Sequence, residues 1–87
     1  MSTAVFPGSF DPVTTGHVDL ICRASRMFDR LVVGVLVNSA KDPLFSQEER
    51  VAMLQEIVKD QDNITVCSFE GLLVDFVRQQ KADAIIR

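Results

Sequence analysis

Residues 31–37 read LVVGVLV, an uninterrupted run of apolar and mostly β-branched residues. A strand with one face in water alternates apolar and polar side chains, whereas a parallel strand covered on both faces is apolar throughout. The run therefore predicts a central strand of a parallel sheet. Such a sheet needs helices on its faces, and the chain on either side of the run should supply them.

Three further apolar stretches are separated from this central run by polar or turn-forming residues. Strands are predicted at residues 3–6, 64–69 and 84–86, which are short and rich in strand-forming residues. Pro7 is expected to end the first strand, because proline removes a donor from the hydrogen-bond ladder.

Helical patterns lie between the strands. The first has Thr14 or Thr15 as its cap, the second begins at Ser46, where Ser46 and Glu49 fit a capping box, and the third covers residues 71–80. The predicted buried stripe of the second helix comprises Val51, Leu54, Ile57 and Val58. The resulting order, βαβαβαβ, predicts an α/β fold with a doubly wound, Rossmann-like parallel sheet.

The composition is that of a globular protein. The chain has 87 residues, 47% of them hydrophobic and 24% charged, which fits one α/β domain over residues 1–87. Its net charge of -3 argues against a nucleic-acid partner, because neutralising many phosphates needs a basic surface. No apolar run approaches the roughly 18 residues of a membrane span, and no signal-peptide pattern is present, so we expect a cytoplasmic protein without a membrane partner.

Two local features carry smaller expectations. Cys22 and Cys67 lack metal-ligand spacing and are expected to be small buried apolar residues. The last predicted strand has no following helix to cover it, so the sheet is expected to be incomplete at the C-terminus.

The segment most informative about function is FPGSFDPVTTGH, residues 6–17. It joins the first strand to the first helix, at the sheet edge where α/β proteins bind ligands and helix N-termini offer free N–H groups to phosphates. Ser9 and Thr14 add hydroxyls, and His17 lies in the first turn of the helix. The segment therefore predicts a phosphate-binding site.

This segment matches neither the G-x-x-x-x-G-K-[ST] loop nor the G-x-G-x-x-G fingerprint. It resembles the T/H-x-G-H signature of the nucleotidyltransferase superfamily, preceded by the P-G-[ST]-F-D-P segment typical of bacterial phosphopantetheine adenylyltransferases. Similar stretches follow in the family's order: NSAK at 38–41, LFSQEER at 44–50, GLLVDF at 71–76 and IIR at 85–87. The resemblance covers nearly the whole chain and corresponds to the N-terminal half of the family's usual length.

The resemblance implies an enzyme of coenzyme A biosynthesis that transfers AMP from ATP to 4'-phosphopantetheine, giving dephospho-coenzyme A and pyrophosphate. It implies that His17 stabilises the transition state by donating a hydrogen bond to phosphoryl oxygens. The implied ATP contacts are Ser9, Phe10 and His17, and the implied acceptor contacts are Ser9, Lys41, Leu73 and Arg87, with Lys41 also counted as catalytic. Mg²⁺ is expected to be held through the ATP phosphates without a protein ligand, and the full-length family suggests a homohexamer.

Two alternatives stay open. A sister nucleotidyltransferase would use nicotinamide mononucleotide, glycerol phosphate or another acceptor, and many such sisters carry histidine at the position of Thr14. A truncated half-domain would bind nucleotide or a partner chain without catalysis. Turnover assays on the chain and on the natural polypeptide distinguish these alternatives.

Neighbouring charged residues have simpler interpretations. Asp11, which precedes Pro12, is interpreted as a structural turn residue. The Glu48-Glu49-Arg50 cluster needs no catalytic role, because the capping box already accounts for Glu49.

Overall fold

The computed structural model describes residues 2–37 and 44–86. Lys41 and Arg87, two of the predicted site residues, lie outside these ranges. The elements are β1 (Thr3–Gly8), α1 (Thr15–Met27), β2 (Arg30–Leu36), α2 (Gln47–Ile57), β3 (Ile64–Phe69), α3 (Leu73–Gln80) and β4 (Ala84–Ile85). This order confirms the predicted βαβαβαβ pattern.

The strands form one parallel sheet in the order β3-β2-β1-β4. β2 is paired on both sides, with Val33 opposite Phe6 of β1 and opposite Val66 of β3. The β2 residues without exposed surface are Leu31, Val32, Val33 and Val35, each at 0%. The LVVGVLV run is therefore a central strand, as predicted, and the doubly wound α/β class is confirmed.

The sheet separates two apolar clusters. On one face α1 and α2 cover the sheet, and Ile21 of α1 packs in the cluster that contains Val33. On the other face α3 covers the sheet, and Val32 packs in the cluster of Phe69 and Phe76. Val32 and Val33 belong to different clusters because successive residues of a strand point to opposite faces.

Gly34 leaves the space in which two aromatic rings pack on the face of the sheet that α3 covers. The rings of Phe69 and Phe76 are stacked, with centroids 4.4 Å apart. A Cβ atom on Gly34 would lie 2.6 Å from Cε2 of Phe76, closer than non-bonded carbon atoms approach. The glycine in the middle of an otherwise β-rich run is thus explained by the close approach of Phe76.

β1 continues through Pro7, which pairs with Gly34 of β2. The carbonyl of Val5 accepts from the N–H of Ile86 at 2.8 Å, so the backbone of Val5 faces β4. Alternate residues of a parallel strand face the same neighbour, so Pro7 also faces the β4 side. The expectation that Pro7 ends the strand is wrong: Pro7 faces away from β2, so the β1–β2 ladder loses no donor, and β1 continues to Gly8 opposite Val35.

The buried stripe of α2 differs from the predicted one. Leu54 and Val58 are buried and Val51 is half-buried, as predicted, but Ile57 is 41% exposed. Arg50 takes the remaining place, with only 4% of its surface exposed. Arg50, Leu54 and Val58 follow one another at four-residue spacing, so they lie on one helix face. The predicted burial of Ile57 is wrong: Arg50, and not Ile57, joins Leu54 and Val58 on the buried face of α2.

The helix starts agree with the sequence for α2 and differ for α3. Oγ of Ser46 accepts from the N–H of Glu49 at 3.1 Å, and Oε1 of Glu49 accepts from the N–H of Ser46 at 2.9 Å, which confirms the capping box. α3 begins at Leu73, two residues later than predicted, because Gly71 has a left-handed φ of +84°. None of the helices within the described ranges has the length and apolar character needed to cross a membrane.

Both cysteines are free thiols and both are half-buried. The prediction that they are buried holds for only part of each side chain. Burial raises the pKa of the Cys67 thiol above its ordinary value of 9.0, and the nearby Arg30 offsets part of that rise.

Candidate active site

The loop between β1 and α1 lies at the carboxyl edge of the sheet. Each described helix follows a strand of this parallel sheet, so the N-termini of α1, α2 and α3 lie at that same edge. Ser9, Phe10 and His17 are thereby brought together in one loop and one helical turn. Their location is the one that α/β proteins use for phosphate ligands.

Phe10 anchors this loop to the core. Its side chain is only 2% exposed, and its ring lies edge-on against Phe6 at 5.4 Å and against His17 at 4.9 Å between centroids. A Cβ atom on Gly8 would lie 3.1 Å from the Phe10 ring, so the glycine allows the ring to pack this closely against β1. The backbone of Phe10 has a φ of +50°, a conformation that costs a non-glycine residue about 1 kcal/mol or more. Ring burial holds the residue in that conformation.

His17 is built into the start of α1. Thr14 is the N-cap, and its Oγ1 accepts from the backbone N–H of His17 at 3.3 Å. The imidazole returns the contact, because Nδ1 of His17 accepts from the backbone N–H of Thr14 at 3.0 Å. Of the two cap candidates in the sequence, the structure selects Thr14. The result is a capping box in which histidine takes the place that glutamate or glutamine usually has.

This box fixes the tautomer of the ring. Nδ1 accepts a hydrogen bond from the Thr14 amide, so the proton of the neutral imidazole lies on Nε2. In the described ranges Nε2 has no hydrogen-bond partner. His17, which is half-buried, therefore offers one N–H donor whose ring orientation is held by the helix start.

Asp11 ties the loop to the segment ahead of α2. Its Oδ2 accepts from the N–H of Leu44 and its Oδ1 from the N–H of Phe45, both at 2.9 Å. Both carboxylate oxygens are engaged with backbone donors, and this agrees with the structural role predicted for Asp11.

Arg50 makes a second tie between the same two segments. Its Nη1 donates to the carbonyl oxygen of Ser9 at 2.9 Å, and its Nε lies 3.4 Å from the carbonyl oxygen of Ser46. No role at the loop was predicted for Arg50 from the sequence. The signal available in the sequence was its position four residues before Leu54, which places it on the buried face of α2.

Leu73 lies apart from the loop. It is half-buried against the cluster that contains Phe76, whereas Phe10 belongs to the cluster on the other face of the sheet. Its neighbours Leu72 and Val74 are 68% and 55% exposed. The start of α3 thus presents apolar surface at the sheet edge, mostly from these two neighbours.

Within residues 2–37 and 44–86, no three side chains of the His, Cys, Asp or Glu type are grouped so that they could hold a metal ion. Within the β1–α1 loop, the carboxylate oxygens of Asp11 accept hydrogen bonds from the backbone amides of Leu44 and Phe45.

Comparison with known sequences identifies the family of this chain. The model of the cytidylyltransferase-like family matches residues 5–87. The chain is 53% identical over its whole length to a phosphopantetheine adenylyltransferase of Clostridium kluyveri, and 54% identical to the enzyme of the same name from Clostridium tetani. It covers 53% and 54% of those two proteins, so the chain spans about half the length of the curated relatives it matches.

Solved structures with the same fold include proteins of different names. The lipopolysaccharide core biosynthesis protein of Thermoplasma volcanium matches with a TM-score of 0.78 and 29% identity, over 98% of this chain and 72% of that one. The bifunctional NMN adenylyltransferase/ADP ribose pyrophosphatase of Francisella tularensis matches with a TM-score of 0.69 and 22% identity, over 92% of this chain and 25% of that one. The second likeness concerns the fold alone.

Proposed function

The chain belongs to the cytidylyltransferase-like family, and from that membership we propose that it forms the N-terminal part of a phosphopantetheine adenylyltransferase. The reaction is transfer of AMP from ATP to 4'-phosphopantetheine, with dephospho-coenzyme A and pyrophosphate as products. The identities of 53% and 54% to enzymes of that name support this choice of acceptor over those of sister nucleotidyltransferases. Threonine at position 14, where many sisters have histidine, supports it as well.

The chemistry sets the demands on the site. The acceptor phosphate is already an anion, so it needs no general base to attack the α-phosphorus of ATP. The barrier comes from bringing two anions into line and from charge that accumulates on the phosphoryl oxygens. Fixed N–H donors and cations therefore supply most of the catalysis.

His17 is the proposed transition-state stabiliser. The capping box holds Nδ1 with the Thr14 amide, so Nε2–H is the donor that remains for a phosphoryl oxygen. A donor held in place before the substrate binds is worth more than one that must be ordered during the reaction. Ser9 and the N–H of Phe10 are proposed as the neighbouring phosphate contacts in the same loop.

The acceptor half of the site is proposed from the family resemblance. Lys41 would place a positive charge near the acceptor phosphate, Arg87 would contact the same phosphate, and Leu73 would contact the pantetheine arm. Apolar surface at the start of α3 supports an arm-binding role for that region, with Leu72 and Val74 more exposed than Leu73.

Mg²⁺ is proposed as the ion that accompanies ATP. It would be held by the triphosphate oxygens, since the described residues offer no cluster of ligands for it. Its contribution is to neutralise charge on the triphosphate, while the loop orients the phosphates. A homohexamer stays a prediction from the family resemblance, and a cytoplasmic location stays a prediction from the sequence pattern.

One observation carries this proposal: the capped His17 lies against the buried Phe10 within a family-typical loop. The test measures pyrophosphate release by the natural polypeptide that carries this sequence, with ATP, Mg²⁺ and 4'-phosphopantetheine. Parallel reactions replace the acceptor with nicotinamide mononucleotide or glycerol phosphate. The proposal is supported if phosphopantetheine is the one acceptor that gives turnover with ATP. Turnover only with another acceptor contradicts it.

The 87-residue chain itself distinguishes the binding-module alternative. We expect this chain to bind ATP and to turn over poorly, since it spans about half of its relatives' length. Isothermal titration with ATP and a turnover assay on the same preparation check this. Full turnover by the 87-residue chain would contradict the expectation.

A further inference from the structure

Arg50 is a buried cation beside the candidate site. Only 4% of its surface is exposed, and charged side chains are rarely buried to this extent unless they have partners. The ion pairs within the described ranges, Arg23–Asp19 and Lys59–Glu56, do not include it. Its described partners are the backbone carbonyls of Ser46, within its own helix, and Ser9, in the β1–α1 loop. The contact with Ser9 is the shorter of the two.

The carbonyl that Arg50 holds belongs to the same peptide unit as the N–H of Phe10. A peptide unit is planar, so a hydrogen bond that fixes the C=O direction also fixes the N–H direction. The Asp11–Pro12 bond is the cis bond recorded in the described part, so the Ser9–Phe10 unit is trans. In a trans unit the Phe10 N–H points away from the Ser9 oxygen, and hence away from the guanidinium.

The N–H of Phe10 is available on that other side. Within residues 2–37 and 44–86 it donates to no protein acceptor. Its left-handed φ of +50° is unfavourable for phenylalanine, so the peptide would tend to rotate if nothing held it. The Phe10 ring is held by Phe6 and His17, and the carbonyl end of the peptide is held by Arg50.

We propose that Arg50 is a positioning residue for adenylyl transfer: by bonding the Ser9 carbonyl, it aims and polarises the Phe10 N–H toward a phosphoryl oxygen. A positive donor on the carbonyl draws electron density from the peptide unit, and this strengthens the N–H as a donor. The inference rests on the proposed function, because it needs a phosphate at the loop. It assigns Arg50 an action through Phe10 and no contact with substrate.

A purely structural role would have a different signature. If Arg50 only joined α2 to the loop, its loss would lower the melting temperature but leave kcat per folded molecule unchanged. If it aims the Phe10 amide, its loss lowers kcat even in molecules that are fully folded. The Phe10 amide proton resonance would also move upfield in the absence of any substrate, because the peptide unit is no longer polarised.

The experiment compares Arg50→Lys and Arg50→Ala with the wild type in the natural polypeptide. Arg23→Ala is the matched control, since Arg23 is an exposed arginine on α1 paired with Asp19. Each variant is assayed for melting temperature, for kcat and KM with ATP, and for the Phe10 amide shift in ¹⁵N-labelled protein. Arg50→Ala is also assayed with millimolar guanidinium, which can occupy the vacated volume, and with methylammonium as a cation of different shape.

We expect kcat to fall about 10- to 100-fold in Arg50→Ala, less than for loss of a donor that itself touches the phosphoryl group. Guanidinium should restore both kcat and the Phe10 amide shift, whereas methylammonium should not. Arg50→Lys should lie between Arg50→Ala and wild type, because lysine keeps the charge but loses the planar fork. Arg23→Ala should behave as wild type.

The inference is overturned if kcat per folded molecule and the Phe10 shift stay at wild-type values in both Arg50 variants. It is also overturned if guanidinium restores the melting temperature of Arg50→Ala but does not restore its kcat. If Arg50→Ala does not fold, Arg50→Lys supplies the same comparison. A wild-type protein inactive with ATP and phosphopantetheine contradicts the proposed function instead, while the amide shift still tests the link between Arg50 and Phe10.

Discussion

The β1–α1 junction and the β3–α3 junction lie at the same edge of the sheet, but they are built in opposite ways. The first is held by polar contacts: Thr14 caps α1, while Asp11 and Arg50 bond the loop to the α2 segment. The second has no capping side chain, since Leu72 occupies the N-cap of α3 without a side-chain hydrogen bond. Gly71 has no atoms near its Cβ position, and Leu72 is 68% exposed.

The difference fits the assignment proposed above, with phosphates at the β1–α1 junction and the pantetheine arm at the β3–α3 junction. Donors that must meet phosphate oxygens need fixed directions, and three hydrogen-bonded ties give the β1–α1 loop that rigidity. An apolar arm needs surface and little direction, and the β3–α3 junction offers exposed leucine and valine. The apolar anchor of that second junction is the Phe69–Phe76 stack beneath it.

Replacing His17 removes the chemically active part of the first junction. His17→Ala should lower kcat for pyrophosphate release by about 10²- to 10³-fold, because a preorganised donor is lost from the transition state. The fold should lose only about 1 kcal/mol, the usual value of a helix cap. The control is Ser46→Ala, which removes the α2 cap at similar cost in stability and should keep its kcat. Equal losses of kcat in both variants would contradict a role for the imidazole.

Filling the space at Gly34 attacks the anchor of the second junction. Gly34→Ala should reduce the free energy of unfolding by about 1–3 kcal/mol, because the new Cβ collides with Phe76. The control is Gly16→Ala, whose new Cβ would lie 3.7 Å from its nearest contact, and alanine within a helix should be neutral or stabilising. Urea unfolding of wild type and both variants measures the free energies of unfolding. A Gly34→Ala protein as stable as wild type would show that the stack shifts freely.

Removing the cap of α1 and adding a cap to α3 tests the difference between the two junctions directly. Thr14→Ala should reduce the free energy of unfolding by about 1 kcal/mol, whereas Leu72→Asp should raise it by up to about 1 kcal/mol by capping α3. Chemical denaturation of the two variants and wild type measures both effects. The contrast between the junctions fails if Leu72→Asp brings no gain while Thr14→Ala shows its loss.

The smallest effect concerns Cys67, whose thiol faces the second cluster. Burial raises the pKa of Cys67 in the folded state, so the unfolded chain releases this proton first as the pH rises. Stability from this group is complete below the ordinary thiol value of 9.0 and declines above it. Unfolding of wild type and Cys67→Ala at pH 7 and pH 10 should show a steeper alkaline loss in wild type. Identical losses would contradict burial of the thiol.

Much of the fold follows from patterns within the chain. The LVVGVLV run predicts a strand covered on both faces, and β2 is such a strand. The Ser46 capping box is also visible in the sequence, because its partners are three residues apart, whereas the α1 cap is narrowed there only to Thr14 or Thr15. The T-x-G-H segment likewise brings Thr14 and His17 into one helical turn. These features depend on helix and strand periodicity, which short stretches of sequence contain.

Other features depend on residues far apart in the chain. Whether Pro7 ends β1 depends on which neighbouring strand its backbone faces, and its partner in β2, Gly34, comes much later in the chain. Arg50 and Ser9 are 41 residues apart, and Leu44 and Asp11 are 33 apart. No local pattern specifies these partners, so the contact of Arg50 with Ser9 could not be predicted from the α2 stripe alone.

The amino-acid sequence by itself determined the alternation of strands and helices, the cap of α2, and the placement of a histidine at the first helical turn. Only the tertiary structure decided that a buried arginine of α2 holds the Ser9–Phe10 peptide and that Asp11 holds the segment ahead of α2. The physical reason is the distance along the chain over which each interaction acts. Backbone propensity and capping act over three or four residues, whereas a buried charge takes its partner from whichever backbone the packed sheet brings to it.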